Sequence, residues 1–188
     1  MTPTLREFPD HFETERLLIR SPRPGDGEAV FHGVVETLSQ LRAWPASLPW
    51  AMAEPAIAAS EAFCREGHSA FLACRDMPML MFSKTGNDFV GATGLHNPDW
   101  KVPEFEIGYW CRQSYQRQGL VTEAVNGITA WAFSVLGARR LSSRTDSENP
   151  ASRRVLERAG FKLEGIMSED RVWPDGSRRS ICIYGITS

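Results

Sequence analysis

The chain has little of what would mark a membrane-bound, secreted or nucleic-acid-coating protein. Its 188 residues contain no apolar run approaching the roughly 18 residues of a bilayer span. The opening segment carries Glu7, Asp10, Glu13 and Glu15 around no apolar centre, so no secretion signal and a cytoplasmic location are expected. Neither sign of charge is in excess. The 21 Lys and Arg against 23 Asp and Glu leave a net charge of −2, which excludes nucleic-acid binding by bulk charge. The four cysteines, Cys64, Cys74, Cys111 and Cys182, are too far apart for a zinc knuckle or a redox pair, and are expected to be reduced apolar fillers. The four histidines, His11, His32, His68 and His96, make no HExxH motif, so no metal is expected. There is no GxGxxG fingerprint and no phosphate loop ending in GKS or GKT.

What is present is ordinary for one soluble domain, with 42% hydrophobic and 23% charged residues. Arg16-Leu17-Leu18-Ile19-Arg20 reads as a first strand. Ala29, Val30, Val34, Leu38 and Leu41 recur at helical spacing, and a second helix is expected over 54–75. Two apolar runs around Thr85-Gly86-Asn87 read as a β-hairpin, and Phe105, Ile107 and Tyr109 alternate as the next strand. A strong helix runs from Leu120 to about Gly137, a short strand covers 140–145, and Asn149-Pro150 starts another helix that stops at Gly160. A closing pair of strands is expected at 161–165 and 180–184. This order is that of a mixed α/β single domain.

The turn Tyr115-Gln116-Arg117-Gln118-Gly119-Leu120-Val121-Thr122 joins a strand to the strong helix. A helix start offers unpaired N–H groups and partial positive charge, Gly119 lets backbone approach a ligand, and Arg117 adds a formal charge. Together they suit a diphosphate.

This segment resembles the acyl-CoA-binding motif of the GNAT N-acetyltransferases, Q/R-x-x-G-x-G/A, with Val121 at the last position. Thr14-Glu15-Arg16-Leu17-Leu18-Ile19-Arg20, Glu106-Ile107-Gly108-Tyr109-Trp110, Thr122-Glu123-Ala124-Val125 and Asn149-Pro150-Ala151-Ser152-Arg153 with Gly160-Phe161 are similar to the branch that contains the Rim-type ribosomal-protein N-terminal acetyltransferases. The resemblance implies an N-terminal extension over 1–12 and an acetyltransferase domain over 13–188. Its fold would be a twisted mixed sheet with splayed fourth and fifth strands, flanked by helices. Acetyl-CoA would lie in the splay as cosubstrate, with Gly108 marking a bulge that opens it.

The resemblance also distributes roles. The backbone of Tyr109, Trp110 and Cys111 would pair with the pantetheine arm, and an N–H near Trp110 would polarise the thioester carbonyl. Arg117, Gln118, Gly119, Leu120, Val121 and Thr122 would hold the diphosphate. Asn149 serves as helix cap, as a pantetheine contact, or both. Glu106 is the expected base for the amine. The Tyr that many members carry seven residues after the Asn is Leu156 here, which leaves Ser152 to steady or protonate the sulfur. Trp44, Trp50 and His96 are expected around the acceptor. The acceptor is a protein N-terminal amine or a small amine, and the closing strands suit pairing into a homodimer. The alternative is a non-catalytic acyl-CoA-binding or sensing protein, to which Leu156 and Val121 would point.

Overall fold

Eight strands form one sheet in the order β1-β2-β3-β4-β5-β6-β8-β7. They are β1 (His11–Glu13), β2 (Leu17–Arg20), β3 (Met77–Ser83), β4 (Phe89–Asp99), β5 (Glu104–Cys111), β6 (Arg140–Asp146), β7 (Lys162–Val172) and β8 (Arg178–Thr187). The computed structural model describes residues 8–45 and 48–188. Residues 1–7 of the expected extension and 46–47 of the loop between Trp44 and Trp50 lie outside the described residues. β1 crosses the boundary expected between extension and domain. It also makes the splayed strands the fifth and sixth in chain order.

The sheet is sandwiched. Helix α1 (Gly27–Arg42) lays Val30, Val34 and Leu41 on Leu80, Phe82 and Phe89. On the other face α3 (Leu120–Trp131) buries Ala124, Val125, Ile128 and Trp131 against Leu17, Ile19, Met79, Phe105 and Ile107. Strand β3 supplies both cores, with Met79 and Met81 on one side and Leu80 and Phe82 on the other. All four cysteines are buried and none is in a disulfide among the described residues, as fillers should be.

Several boundaries differ from the sequence reading. Helix α2 is Ile57–Leu72, shorter at both ends than 54–75, because Pro55 precedes it and Cys74 turns left-handed at φ 53°. The strong helix changes to a π-helical turn over Ala132–Leu136 before Gly137 ends it at φ 67°. β7 and β8 are much longer than expected. β7 is exposed along almost its whole length, so it lacks the apolar alternation that reveals a half-buried strand.

The pairing around β5 positions the site. β4 and β5 run antiparallel in unbroken register from Gly91↔Cys111 to His96↔Glu106. Gly108 is therefore not a bulge in that ladder. β5 and β6 pair in parallel only at Glu104↔Arg140, Phe105↔Leu141 and Glu106↔Ser142. Beyond these three pairs the strands part, held at the fork by the Ser143 hydroxyl, which donates to the Ile107 carbonyl at 3.0 Å.

Candidate active site

The parting of β5 and β6 opens a cleft of about 1380 Å³. That exceeds the roughly 300–1,000 Å³ of a usual small-molecule pocket and leaves room for two substrates. Tyr109, Trp110, Cys111, Arg117, Gly119, Leu120, Val121, Thr122, Asn149 and Ser152 all line it. So do Trp44, Trp50, His96 and Glu106. Gln118 is the exception among the expected residues, for its side-chain amide donates to the Ser114 carbonyl at 3.1 Å.

Which backbone groups face the gap follows from the phase of the β4–β5 ladder. The Arg112 N–H donates to the Val90 carbonyl at 2.8 Å. Counting in twos, Trp110 and Gly108 also turn their backbone groups toward β4, whereas Ile107, Tyr109 and Cys111 turn theirs toward the gap. This corrects the expectation for Trp110: its backbone groups face β4, and it lines the cleft with its indole. The Cys111 carbonyl accepts from Gln116 Nε2 at 3.1 Å. Tyr109 and the Cys111 N–H are left at the edge, while burial pushes the Cys111 thiol up to about 12 and keeps it protonated.

The turn into α3 has two left-handed residues, Arg117 at φ 62° and Gly119 at φ 79°. Alternation of this kind points successive N–H groups into one concavity, and the first helical N–H groups add to it. The turn is pinned from two sides. From α1, Glu36 accepts from Arg112 Nε at 2.5 Å and from the Ser114 N–H at 2.8 Å, and Gln40 accepts from Gln116 Nε2 at 2.7 Å. From the β1–β2 region, Arg16 donates through Nη1 to the Gln118 carbonyl at 3.0 Å. Glu123, in the first turn of α3, accepts from the Thr14 hydroxyl at 2.6 Å, the Arg16 N–H at 2.8 Å and Arg16 Nε at 2.6 Å. Burial pushes the Glu123 carboxyl up, but these donors outweigh it and hold it below the ordinary glutamate value. Arg117, Arg154 and Arg158 are exposed at the cleft and, among the described residues, meet no acidic partner.

Helix α4 (Pro150–Arg158) brings the other wall. Asn149 caps it: Oδ1 accepts the Ser152 N–H at 3.0 Å, and the amide NH₂ has no partner among the described residues. Leu156 is fully buried, so the position of the missing Tyr is spent on the core. A phenol nevertheless reaches this spot from β5. The Tyr109 hydroxyl lies 2.9 Å from Ser152 Oγ and donates to the Ser152 carbonyl at 3.1 Å. Burial pushes the Tyr109 phenol well above its ordinary value, the bond to Ser152 offsetting only part of it.

The opposite face of β5 carries Glu106, Gly108 and Trp110. Trp50, 46% exposed, tilts against Trp110 with centroids 6.0 Å apart, and Trp110 sits edge-on to Phe89 at 5.6 Å. Trp44 meets Trp173 of the β7–β8 turn edge-on at 6.0 Å, and the Arg179 guanidinium stacks 4.3 Å above Trp173. Glu106 accepts from Asn97 Nδ2 at 3.3 Å and lies 3.9 Å from Arg144 Nε. His96 is its cross-strand partner and bonds through Nδ1 to Asp76 at 2.7 Å. Sequence reasoning missed Asp76, Tyr109 as a side chain, Arg16 and Trp173. Asp76 was within reach, since the β3–β4 hairpin pairs Met77 with Leu95 and so sets Asp76 beside His96.

The Acetyltransferase (GNAT) domain family matches residues 16–162. The Bacillus subtilis protein named Uncharacterized N-acetyltransferase YoaA is 24% identical over 174 residues, 93% of this chain and 94% of its own. The Escherichia coli ribosomal-protein-serine acetyltransferase is 34% identical over 91 residues, 48% of this chain and 50% of its own. A solved structure of RimL, a ribosomal L7/L12 alpha-N-protein acetyltransferase in complex with coenzyme A, superposes with a TM-score of 0.83 at 19% identity, covering 96% of this chain and 97% of that one. With the family matched across most of its length and the same splayed sheet, the chain belongs to the GNAT acetyltransferase family.

Proposed function

We propose that the protein transfers the acetyl group of acetyl-CoA to a primary amine, foremost the α-amine of a protein N-terminus. The observation that carries this reading is the meeting of two unlike surfaces at one gap. On one side lie the free β5 edge and the left-handed Arg117–Gly119 turn. On the other lie Glu106, His96 and the Trp50–Trp110 pair.

In this reading the N–H groups from Arg117 to Thr122, with the Arg117 side chain, hold the diphosphate. Gln118 contributes through its backbone alone. Tyr109 and Cys111 pair with the pantetheine as an added strand would, and their N–H groups, on either side of Trp110, polarise the thioester carbonyl. The unused Asn149 amide donates to the same arm. Ser152, set by Tyr109, faces the departing sulfur. Glu106 receives the incoming ammonium group, and the tryptophans wall the chain that carries it. The relatives named for ribosomal-protein and α-N-protein acetylation favour a protein N-terminus over a free small amine.

The test is mass spectrometry of a cell extract incubated with the purified protein and isotopically labelled acetyl-CoA. Label on N-terminal peptides is the expected result. Label on small amines alone would reassign the acceptor, and tight acetyl-CoA binding without any labelled product would favour a sensing protein.

A further inference from the structure

We infer that the proton of the acceptor amine is taken by His96 Nε2, oriented by Asp76, and that Glu106 binds the amine rather than serving as the terminal base. This rests on the acetyl-transfer reading above and adds a catalytic residue to it.

Three observations carry the inference. First, Nδ1 of His96 is 2.7 Å from Asp76 Oδ1. A carboxylate accepts, so Nδ1 carries the hydrogen and Nε2 is left with its lone pair. Among the described residues no hydrogen-bond partner meets Nε2. Second, the ring has a prepared place. Gly94 and Gly108 face each other across the β4–β5 ladder, and a Cβ on either would come within 2.8 Å or 3.2 Å of Nε2. A Cβ at Gly94 would push the ring aside and one at Gly108 would crowd it, so the two glycines leave the imidazole room to lie across the sheet toward the mouth of the gap. This is the physical use of Gly108. Third, Glu106 is already matched to other groups, with Asn97 at 3.3 Å and Arg144 at 3.9 Å. A carboxylate shared with a guanidinium is a poor proton acceptor, though it still attracts an ammonium group. Asp76 and His96 are about two-fifths exposed at their side chains, open enough for a substrate amine to reach.

The amine reaches Glu106 as an ammonium ion and first releases one proton to solvent. Its neutral nitrogen then forms a bond to the thioester carbon, and the carbonyl π pair moves onto oxygen beside the β5-edge N–H groups. The adduct's surplus N–H proton passes to Nε2, giving an imidazolium beside Asp76. The carbonyl re-forms, the C–S bond breaks, and sulfur leaves with its electron pair as thiolate. The imidazolium returns its proton to solvent, and the thiolate takes one through the Ser152 hydroxyl. Imidazole is the side chain whose charge changes near neutral pH, which suits a group that must both take and release a proton.

The experiment measures acetyl transfer to a synthetic peptide with a free N-terminal serine, and acetyl-CoA hydrolysis with no amine present, over pH 6–9. Coenzyme A affinity is followed by calorimetry as a check on folding. We expect His96→Gln to lower kcat/KM for the peptide by roughly 10²-fold, with coenzyme A affinity within twofold of wild type. His96→Ala leaves a hollow over Gly94 and Gly108, and added imidazole should restore at least tenfold of its lost rate. Asp76→Asn removes the carboxylate that fixes the Nδ1 hydrogen and should lower kcat about tenfold, with acceptor KM and coenzyme A affinity unchanged. Normal peptide acetylation by His96→Gln across the range, or no rescue by imidazole, would overturn the assignment. A wild type that hydrolyses acetyl-CoA in a His96-dependent way but ignores the peptide would uphold the base and refute the acceptor. A wild type inert in both assays would refute both.

Discussion

Arg16 and Glu123 are joined by two hydrogen bonds, Nε to Oε2 at 2.6 Å and the Arg16 N–H to Oε1 at 2.8 Å, across 107 positions of sequence. Arg16 also holds the Gln118 carbonyl, so the residue that precedes β2 buttresses the phosphate turn from behind. Glu123→Gln should therefore cost about 1.5–3 kcal/mol of stability at pH 7 and weaken coenzyme A binding. The sign of the pH effect follows from the lowered Glu123 value. A carboxyl depressed in the folded state contributes stability above its unfolded value, and that contribution is lost as pH falls through the folded one. The melting-temperature gap between wild type and Glu123→Gln should be full at pH 7, start to narrow near the ordinary glutamate value of about 4.3, and close only as pH falls through the lowered folded value.

Substitutions at Gly119 separate backbone strain from charge. A Cβ there would meet only Arg16 Nη2 at 3.6 Å, so space is not the constraint; the φ of 79° is. Gly119→Ala should cost about 1–2 kcal/mol of stability with coenzyme A affinity changed only a few-fold. Gly119→Glu adds a negative charge beside the diphosphate and should weaken binding well beyond tenfold. Calorimetry with coenzyme A on both variants checks this.

Arg117→Ala should weaken coenzyme A binding by only about 1–2 kcal/mol, because backbone N–H groups share the load. Titration at fixed salt measures it. Complete loss would make the side chain the main ligand.

Tyr109 and Ser152 form a pair, so their effects should not add. Ser152→Ala is expected to lower kcat about tenfold. Tyr109→Phe should lower it less, by freeing the Ser152 hydroxyl to rotate. The double variant should match Ser152→Ala alone within a few-fold. Steady-state kinetics on the four proteins checks it.

Glu106→Gln should raise KM for the acceptor more than it lowers kcat, reducing kcat/KM about 10- to 100-fold through loss of a charge-assisted contact. Affinity for coenzyme A should stay within a few-fold. An unchanged acceptor KM would make Glu106 a partner of Arg144 only.

Much of this was legible in the residues. The helix-start turn at Gly119, the Asn149–Pro150 cap and the alternation around Phe105 each declare themselves locally, because torsion, capping and burial act over a few positions. Contacts set by tertiary register did not. Tyr109 reads as a backbone residue until α4 is docked on β5, and Asp76 reads as a loop acid until the hairpin aligns it with His96. Trp110 was misread for a subtler reason. Period two tells which face a side chain takes, but the direction of the backbone groups depends on the pairing phase, which bonds such as Arg112–Val90 and Ser143–Ile107 reveal.

Among the described strand pairs, β5 with β6 is the one parallel pairing, and it is three residue pairs long. Parallel neighbours cannot zip from a hairpin; they need the whole crossover through α3 in between. The fork is thus a late product of folding, closed only after its crossover helix has docked and β6 has been built. A chain still emerging from synthesis has the Gly119 turn before it has the gap. Coenzyme A should accordingly speed no early step but slow unfolding, by bridging a seam that the sheet itself leaves nearly unstitched.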